Sequence, residues 1–397
     1  MRIGILTQYF KPEMGAAQNR LYELVQGLQN LGNEIYVVTG MPNYPSGKIF
    51  DKYKKKFTYK EDIEGTEIKR YWLYASNSRK TIPRIWNMLS FSITSFFSLS
   101  YLRRKKLDYL IVESPPLTLA WTGRWLSKFI GAKFIANISD LWPLSAKELG
   151  AISEGRIYRL LEKLERNIYT HSDIAMGQSE EIVDYISKHG GKLTYLFRNG
   201  VDPTRFDLSL KKPNDKNSNI KIIYAGLLGY AQGIADICRS INFKELGAEF
   251  HIYGNGGEQK EIMNLIEANP ENGIFYHGVV TREELPLILM GADMALVPLV
   301  KNIFGAVPSK IYEAMAAGLP ILFIGEGEGA KIIKDHKLGF IIHSKDFTSL
   351  RNIIKNASMD REMLQKMSNN CRQAANNNFN RPKQIVQLNK FLEANLN

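Results

Sequence analysis

At 397 residues the chain is too long for one small module, and roughly 100 to 200 residues per domain implies two or three domains. With 44% hydrophobic and 23% charged residues it sits at the globular average, which excludes wholesale disorder and a polytopic membrane protein. Lys and Arg number 52 against 40 Asp and Glu, a net charge of +12, which points to an anionic partner: phosphate, nucleic acid or a lipid surface.

In chain order, residues 3–6 read as a first strand, too short an apolar run for an export signal. A helix is predicted over 17–31 and a second strand over 34–39. Residues 85–102 form an apolar helical pattern in which 7 of 18 positions are Asn, Ser or Thr, too polar to span a bilayer. It presents Trp86, Phe96 and Phe97 and runs into Arg103, Arg104, Lys105 and Lys106. Residues 51–110 hold 14 Lys or Arg and 6 Asp or Glu, so 8 of the 12 net positive charges lie there, interspersed with aromatic residues. Basic, aromatic and apolar together suit an anionic membrane surface; the competing reading is a core helix with a solvated basic end.

Strands at 107–112, 133–137, 173–176 and 193–197 complete a first doubly wound parallel sheet. The polar, Pro- and Asn-rich residues 202–219 read as a linker. The alternation restarts with strands at 221–225, 249–253, 274–276, 294–297, 320–324 and 340–342, and helical text over 348–376 and 382–395 closes the chain. The predicted domains are 1–200 and 201–380, with 381–397 a helix returning to the first domain. Such sheets bind ligands beyond the carboxyl ends of their strands, so two of them joined by a linker predict a cleft and a two-substrate transfer. The two cysteines, Cys238 and Cys371, lie far apart with no zinc spacing, which fits a reducing, cytoplasmic compartment.

Several turns are candidate anion sites. Gly15 and Ala16 open the first helix, where small residues let a phosphate or sugar reach free N–H groups. Gly226, Gln232 and Gly233 repeat the device in the second half, and Tyr253 and Asn255 flank a third Gly-rich turn. Gly325, Gly327 and Ala330 spell a dinucleotide fingerprint, but the turn follows a late strand rather than the first of its unit, which argues against a nicotinamide cofactor. The most specific segment is 304–320: a Pro-Ser start, a helix and a Gly-Leu-Pro stop gather Ser309, Lys310 and Glu313 at one helix start. An ammonium and N–H groups there match a diphosphate, and a carboxylate one turn in matches a ribose diol. The alternative is that Ser309 is a helix cap and Glu313 a dipole partner.

The run Glu313-Ala314-Met315-Ala316-Ala317-Gly318-Leu319-Pro320 resembles the signature of the family 4 retaining glycosyltransferases. Asn199-Gly200-Val201-Asp202 and Gly278-Val279-Val280 agree in order. Asp140-Leu141-Trp142-Pro143, Ala231-Gln232-Gly233 and Pro308-Ser309-Lys310 are similar to the subgroup that builds bacterial surface polysaccharides, including N-acetylfucosamine transferases. The resemblance implies the GT-B fold, two facing Rossmann-like domains with an interdomain cleft. It also implies a UDP-sugar donor held by the second domain, with Glu313 on the ribose and the backbone near Val280 on the base. The acceptor falls to the first domain, with Asp140 as catalytic candidate and Trp142 beside it.

The chain departs from the family at three points. Gly305 stands where the first Glu of an E-x7-E pair is usual, Leu227 and Gln232 fall near the usual diphosphate cations, and Leu144 replaces a Glu. Lys310 is the replacement cation, with Arg198 second. No Asp-x-Asp pair occurs to hold a metal against a diphosphate, so no metal and no cofactor beyond the nucleotide sugar are expected. The expected partners are a UDP-sugar, a polyprenyl-diphosphate-linked saccharide and the inner face of the cell membrane, with no nucleic acid. The rival readings are a nucleotide-sugar epimerase of the same fold and a nucleic-acid-binding protein.

Overall fold

The computed structural model describes residues 1–78, 80–207, 209, 218–230, 232–299 and 303–396. The chain divides into two units, Met1–Arg198 with Pro382–Asn397, and Asn199–Arg381.

The first unit carries an eight-stranded sheet. Its strands are β1 (Arg2–Thr7), β2 (Glu34–Gly40), β3 (Thr58–Ile63), β4 (Thr66–Tyr71), β5 (Tyr109–Ser114), β6 (Lys133–Ile138), β7 (Ile174–Gly177) and β8 (Thr194–Leu196). They lie in the order β3-β4-β2-β1-β5-β6-β7-β8. β5 is buried along its whole length, as a central parallel strand covered on both faces must be. The helices are α1 (Ala16–Asn30), α2 (Thr81–Ser95), α3 (Leu99–Lys105), α4 (Leu117–Ile130), α5 (Leu144–Glu148), α6 (Arg156–His171) and α7 (Glu180–Lys188). α1 buries Leu21, Leu24, Val25 and Leu28, a stripe at the helical period, against the sheet.

Two features depart from the predicted first sheet. Residues 58–71 form an antiparallel hairpin, Thr58↔Tyr71 through Ile63↔Thr66, at the edge beyond β2. Its alternation is carried by charged residues, so it gave no apolar run to read. The helical pattern over 85–102 is also not one helix: it breaks at the turn Phe96–Ser98 into α2 and α3, which bury Phe91 and Leu102.

The second unit holds six parallel strands, β9 (Ile220–Ala225), β10 (Ala248–Tyr253), β11 (Ile274–Tyr276), β12 (Met294–Pro298), β13 (Ile321–Ile324) and β14 (Gly339–Ile342). Their order is β11-β10-β9-β12-β13-β14. Around them lie α8 (Ile234–Ser240), α9 (Gln259–Ala268), α10 (Leu285–Met290), α11 (Lys310–Ala317), α12 (Gly327–Asp335), α13 (Phe347–Met359) and α14 (Arg361–Asn377). The helical text over 348–376 thus divides at Asp360, whose carboxylate caps α14 by accepting from Met363 N at 2.8 Å. Of the predicted linker, Leu208 and residues 210–217 lie outside the described residues. The last helix, α15 (Arg381–Ala394), starts where the second unit ends and then packs Ile385, Leu388 and Leu392 into the first unit's core. Gly27 makes room for it, since a Cβ there would stand 2.7 Å from Ile385 Cδ1.

Candidate functional site

In the second unit, chain direction across the sheet reverses between β9 and β12, and ligands of open α/β sheets sit outside the carboxyl ends at such a point. Gly226 follows β9 with φ 152, a region that side chains rarely adopt. A Cβ on it would stand 2.6 Å from Lys310 Nζ, so the missing side chain leaves the place the ammonium fills. The same ammonium lies 5.4 Å from the centre of the Tyr224 ring. Burial lowers the Lys310 pKa, and Glu313 opposes the shift. Ser309 precedes α11 without making a capping hydrogen bond, so the capping role is not realised and its hydroxyl is not spent on the helix. Glu313 lies in the first turn of α11, half-buried. Gly305 has φ 78, a backbone state that disfavours any side chain, the carboxylate-bearing one included.

Two of the predicted anion turns have structural explanations instead. The helix start behind Gly233 is already occupied, because the buried Glu258 accepts from Ile234 N at 3.0 Å and Ala235 N at 3.4 Å. That carboxylate takes two of the N–H groups that a phosphate at this helix start would use. Gln232 lies beside it with Oε1 buried and unbonded; its neighbour Ala231 lies outside the described residues. The turn after β10 is glycine-rich for packing. A Cβ on Gly254 would lie 1.8 Å from Gly226 O, and one on Gly256 2.3 Å from Leu228 O. Asn255 enters this contact through its carbonyl, which accepts from Leu228 N at 2.8 Å, and its residue is exposed. Tyr253 stacks on His277 with centroids 4.5 Å apart. Gly278 O accepts from Gly254 N at 2.7 Å, tying the loop that carries Val280 to the same cluster of turns.

In the first unit the reversal falls between β1 and β5. Gly15 and Ala16 lie just beyond β1, but Gly15 has φ 174, extended backbone that any residue adopts. The sequence reading missed Glu13. It is buried and accepts from Asn43 N and Tyr44 N, both at 2.8 Å, and from Phe10 N at 3.2 Å. Burial outweighs those bonds and pushes its carboxyl up to about 7. Missed too was the buried Arg20–Glu113 ion pair, joined by Ser139 and by Asn137. Its partners are 93 residues apart in the chain, and no local pattern connects them.

Asp140 stands beyond β6 next to this network. Pro143 occupies the N-cap of α5, so the Asp140 carboxylate does not cap that helix. Asp140 is exposed, yet the protein crowding it pushes its carboxyl up to about 6, with Arg20 opposing and Glu113 reinforcing the shift. Trp142 is half-buried and packs on the first unit's apolar core, which takes part of its surface away from any acceptor. Arg198 belongs to the first unit and pairs with Glu180 at 2.5 Å, so it is engaged within that unit.

The predicted membrane residues are spread over α2, the turn after it and the end of α3, in the first unit. Trp86 is 54% and Phe97 64% exposed, and Phe96 is also exposed. Arg103, Arg104 and Lys106 are exposed, whereas Lys105 is half-buried and bonded to Glu67 at 2.8 Å. Among the described residues no helix is long and apolar enough to cross a membrane.

Residues 15–196 match the family described as Glycosyl transferase 4-like domain, and residues 206–374 the family described as Glycosyl transferases group 1. The putative colanic acid biosynthesis glycosyl transferase WcaI of Escherichia coli K12 is 26% identical over 333 residues, covering 80% of this chain and 82% of that protein. A shorter segment of 107 residues is 30% identical to an Escherichia coli UDP-Gal:alpha-D-GlcNAc-diphosphoundecaprenol alpha-1,3-galactosyltransferase, covering 27% of each chain. The crystal structure of Anabaena HepE in complex with UDP superposes with TM-score 0.71 at 14% identity, over 99% of this chain and 100% of the other, a likeness of fold. The fold is GT-B, built from two Rossmann-like units.

Proposed function

The chain belongs to the glycosyltransferases that join a 4-like domain to a group 1 domain, and from that premise we propose that it transfers a sugar from a UDP-linked donor to a lipid-linked saccharide in bacterial surface polysaccharide assembly. The sugar we assign is an N-acetylated aminodeoxy sugar, transferred with retention, and the site of action is the inner face of the cell membrane. The observation that carries the donor side is Lys310 seated against Gly226 at the strand-order switch of the second unit. A diphosphate placed there meets the Lys310 ammonium and the positive end of the α11 dipole, so the leaving phosphate gains charge where a cation already stands. Glu313, one turn on, accepts from the ribose hydroxyls, and the loop at Val280 takes the base.

On the acceptor side Asp140 accepts the hydrogen bond of the attacking hydroxyl, with the Arg20–Glu113 pair holding its strand end in place. The WcaI and diphosphoundecaprenol relatives support a polysaccharide setting and a lipid-linked acceptor. Because the diphosphate is met by Lys310 and backbone dipoles, turnover needs no divalent metal.

The decisive assay incubates the chain with a panel of nucleotide sugars and polyprenyl-diphosphate saccharides, with and without EDTA. Released UDP and a product heavier by one sugar, undiminished by EDTA, are expected. Release of another nucleotide, or activity that only Mg or Mn restores, overturns the donor site as drawn. Asp140→Asn is expected to lower kcat while leaving UDP affinity unchanged, and parental turnover in that variant removes Asp140 from the reaction.

A further inference from the structure

Away from both strand-order switches, the first unit holds an open recess of about 540 Å3 between the β3–β4 hairpin and the Phe97 to Lys105 stretch. Lys60, Lys69, Arg104 and Lys105 line it, against one carboxylate, Glu67: four positive charges and one negative, a balance of +3. Lys60 and Lys69 are direct partners in the antiparallel register. Like charges directly opposed in a sheet are destabilising, and an anion lying over both relieves the repulsion.

Glu67 is already committed within the lining. It accepts from Tyr101 Oη at 2.7 Å and pairs with Lys105 at 2.8 Å and Lys60 at 3.2 Å. Burial alone would raise its pKa, but these three bonds hold the carboxyl down at about 2, so it stays ionised at any physiological pH. Lys69 and Arg104 pair with no carboxylate among the described residues, and Arg104 Nε donates only to Ser100 O at 3.1 Å.

The rim of the recess is aromatic. Phe97 lines it and meets Phe57 edge-on at 5.5 Å, and both are at least half exposed. Nearby, the exposed Phe96 meets Phe129 at 6.0 Å, and Phe129 stacks on Trp125 at 6.0 Å. Exposed rings of this kind rest at the boundary between headgroups and acyl chains, while lysine and arginine sit at phosphate level. A soluble anion would use the cations and leave the rings in water.

We propose that this recess binds the phosphate headgroup of an anionic membrane lipid, with the Phe57 and Phe97 rim inserted beside its acyl chains. The inference deepens the membrane-facing part of the reading above and names its ligand: a lipid phosphate held by Lys60, Lys69 and Arg104. This site is separate from the donor and acceptor groups.

The test uses the full chain with vesicles of phosphatidylcholine alone or with phosphatidylglycerol added, read by co-sedimentation. K60Q/K69Q is compared with K55Q/K56Q, an equal loss of charge from exposed lysines outside the recess lining. A site predicts that K60Q/K69Q binds phosphatidylglycerol vesicles about tenfold more weakly than K55Q/K56Q, whereas diffuse attraction weakens the two alike. Phe97→Ser should weaken vesicle binding without changing its dependence on salt. Equal losses in the two double variants overturn the site. So does calorimetric binding of inorganic phosphate that K60Q/K69Q abolishes while vesicle binding persists, since the recess would then hold a free anion. Should the double variant unfold, Arg104→Gln on the opposite wall is read in its place. UDP titration of the same variants separates the failures: intact UDP binding with lost vesicle binding leaves the transferase reading standing, and absent UDP binding in the parent chain sinks that reading whatever the vesicles do.

Discussion

Lys310 and Glu313 stand three residues apart on α11 and do different work in the proposed donor site. Glu313→Gln is expected to weaken UDP binding by about 1.5 to 3 kcal/mol, the scale of a hydrogen bond to a charged group, and to leave folding intact. Lys310→Met should cost more towards UDP than towards uridine, because only UDP brings charge to the ammonium. Calorimetry with the two ligands checks both, and equal losses for UDP and uridine would remove Lys310 from the diphosphate. A different residue governs pH. The buried Glu165 accepts from Tyr169 Oη at 2.7 Å, and burial, the largest influence, pushes its carboxyl up to about 7. The folded chain therefore keeps a proton that the unfolded chain releases from its ordinary value of 4.5, so this group costs stability as pH rises from about 4.5 to 7, and the cost is complete above that. Glu165→Gln keeps an acceptor for Tyr169 and carries no charge. Relative to the parent it should gain roughly 2 to 3 kcal/mol between pH 5 and pH 8 in denaturant unfolding. Parallel pH profiles would show that Glu165 does not titrate in this range.

At the scale of elements, helix starts separate structure from function in this chain. α7 is capped by Ser179, whose hydroxyl accepts from Ile182 N at 3.2 Å, and α8 by Glu258, whereas α11 follows Ser309 with no capping bond. Ser179→Ala should thus cost about 1 kcal/mol of stability and Ser309→Ala under about 0.5 kcal/mol. Only the second should weaken UDP binding. A Ser309→Ala variant as unstable as Ser179→Ala would mean that the hydroxyl serves the helix after all. The turn glycines divide in the same way: Gly254 is required by a backbone carbonyl beneath it, and Gly226 leaves room for an ammonium.

At the scale of the whole molecule, the closing helix ties the end of the chain to its beginning. Ile385, Leu388 and Leu392 are buried in the first unit's core, and Tyr109 Oη donates to Leu392 O at 2.8 Å. Each such side chain contributes roughly 1.5 to 3 kcal/mol on burial, so ending the chain after Arg381 should destabilise the first unit by roughly 5 kcal/mol or more. Scanning calorimetry in the presence of UDP should show the UDP-sensitive transition of the second unit in place while the first unit melts earlier. A uniform downward shift of both would contradict this assignment of the helix.

By itself the sequence determined the doubly wound architecture, because parallel strands buried on both faces are written as continuous apolar runs that short-range patterns reveal. It also marked the Ser309, Lys310 and Glu313 cluster, since three positions on one helix turn are neighbours by geometry alone. The β3–β4 hairpin escaped because an edge strand exposed on its outer face carries charge where a core strand carries apolar residues. What only tertiary structure decided was how the groups pair over distance. Glu258 reaches the start of α8 from 24 residues away and takes N–H groups that the text alone offers to a phosphate. Arg20 finds Glu113, Lys60 faces Lys69, and Lys310 fills the place of a missing Cβ at Gly226. All but the hairpin pair depend on chain segments far apart in sequence, and the charge at any point in the fold is the sum over those segments, which no local pattern contains.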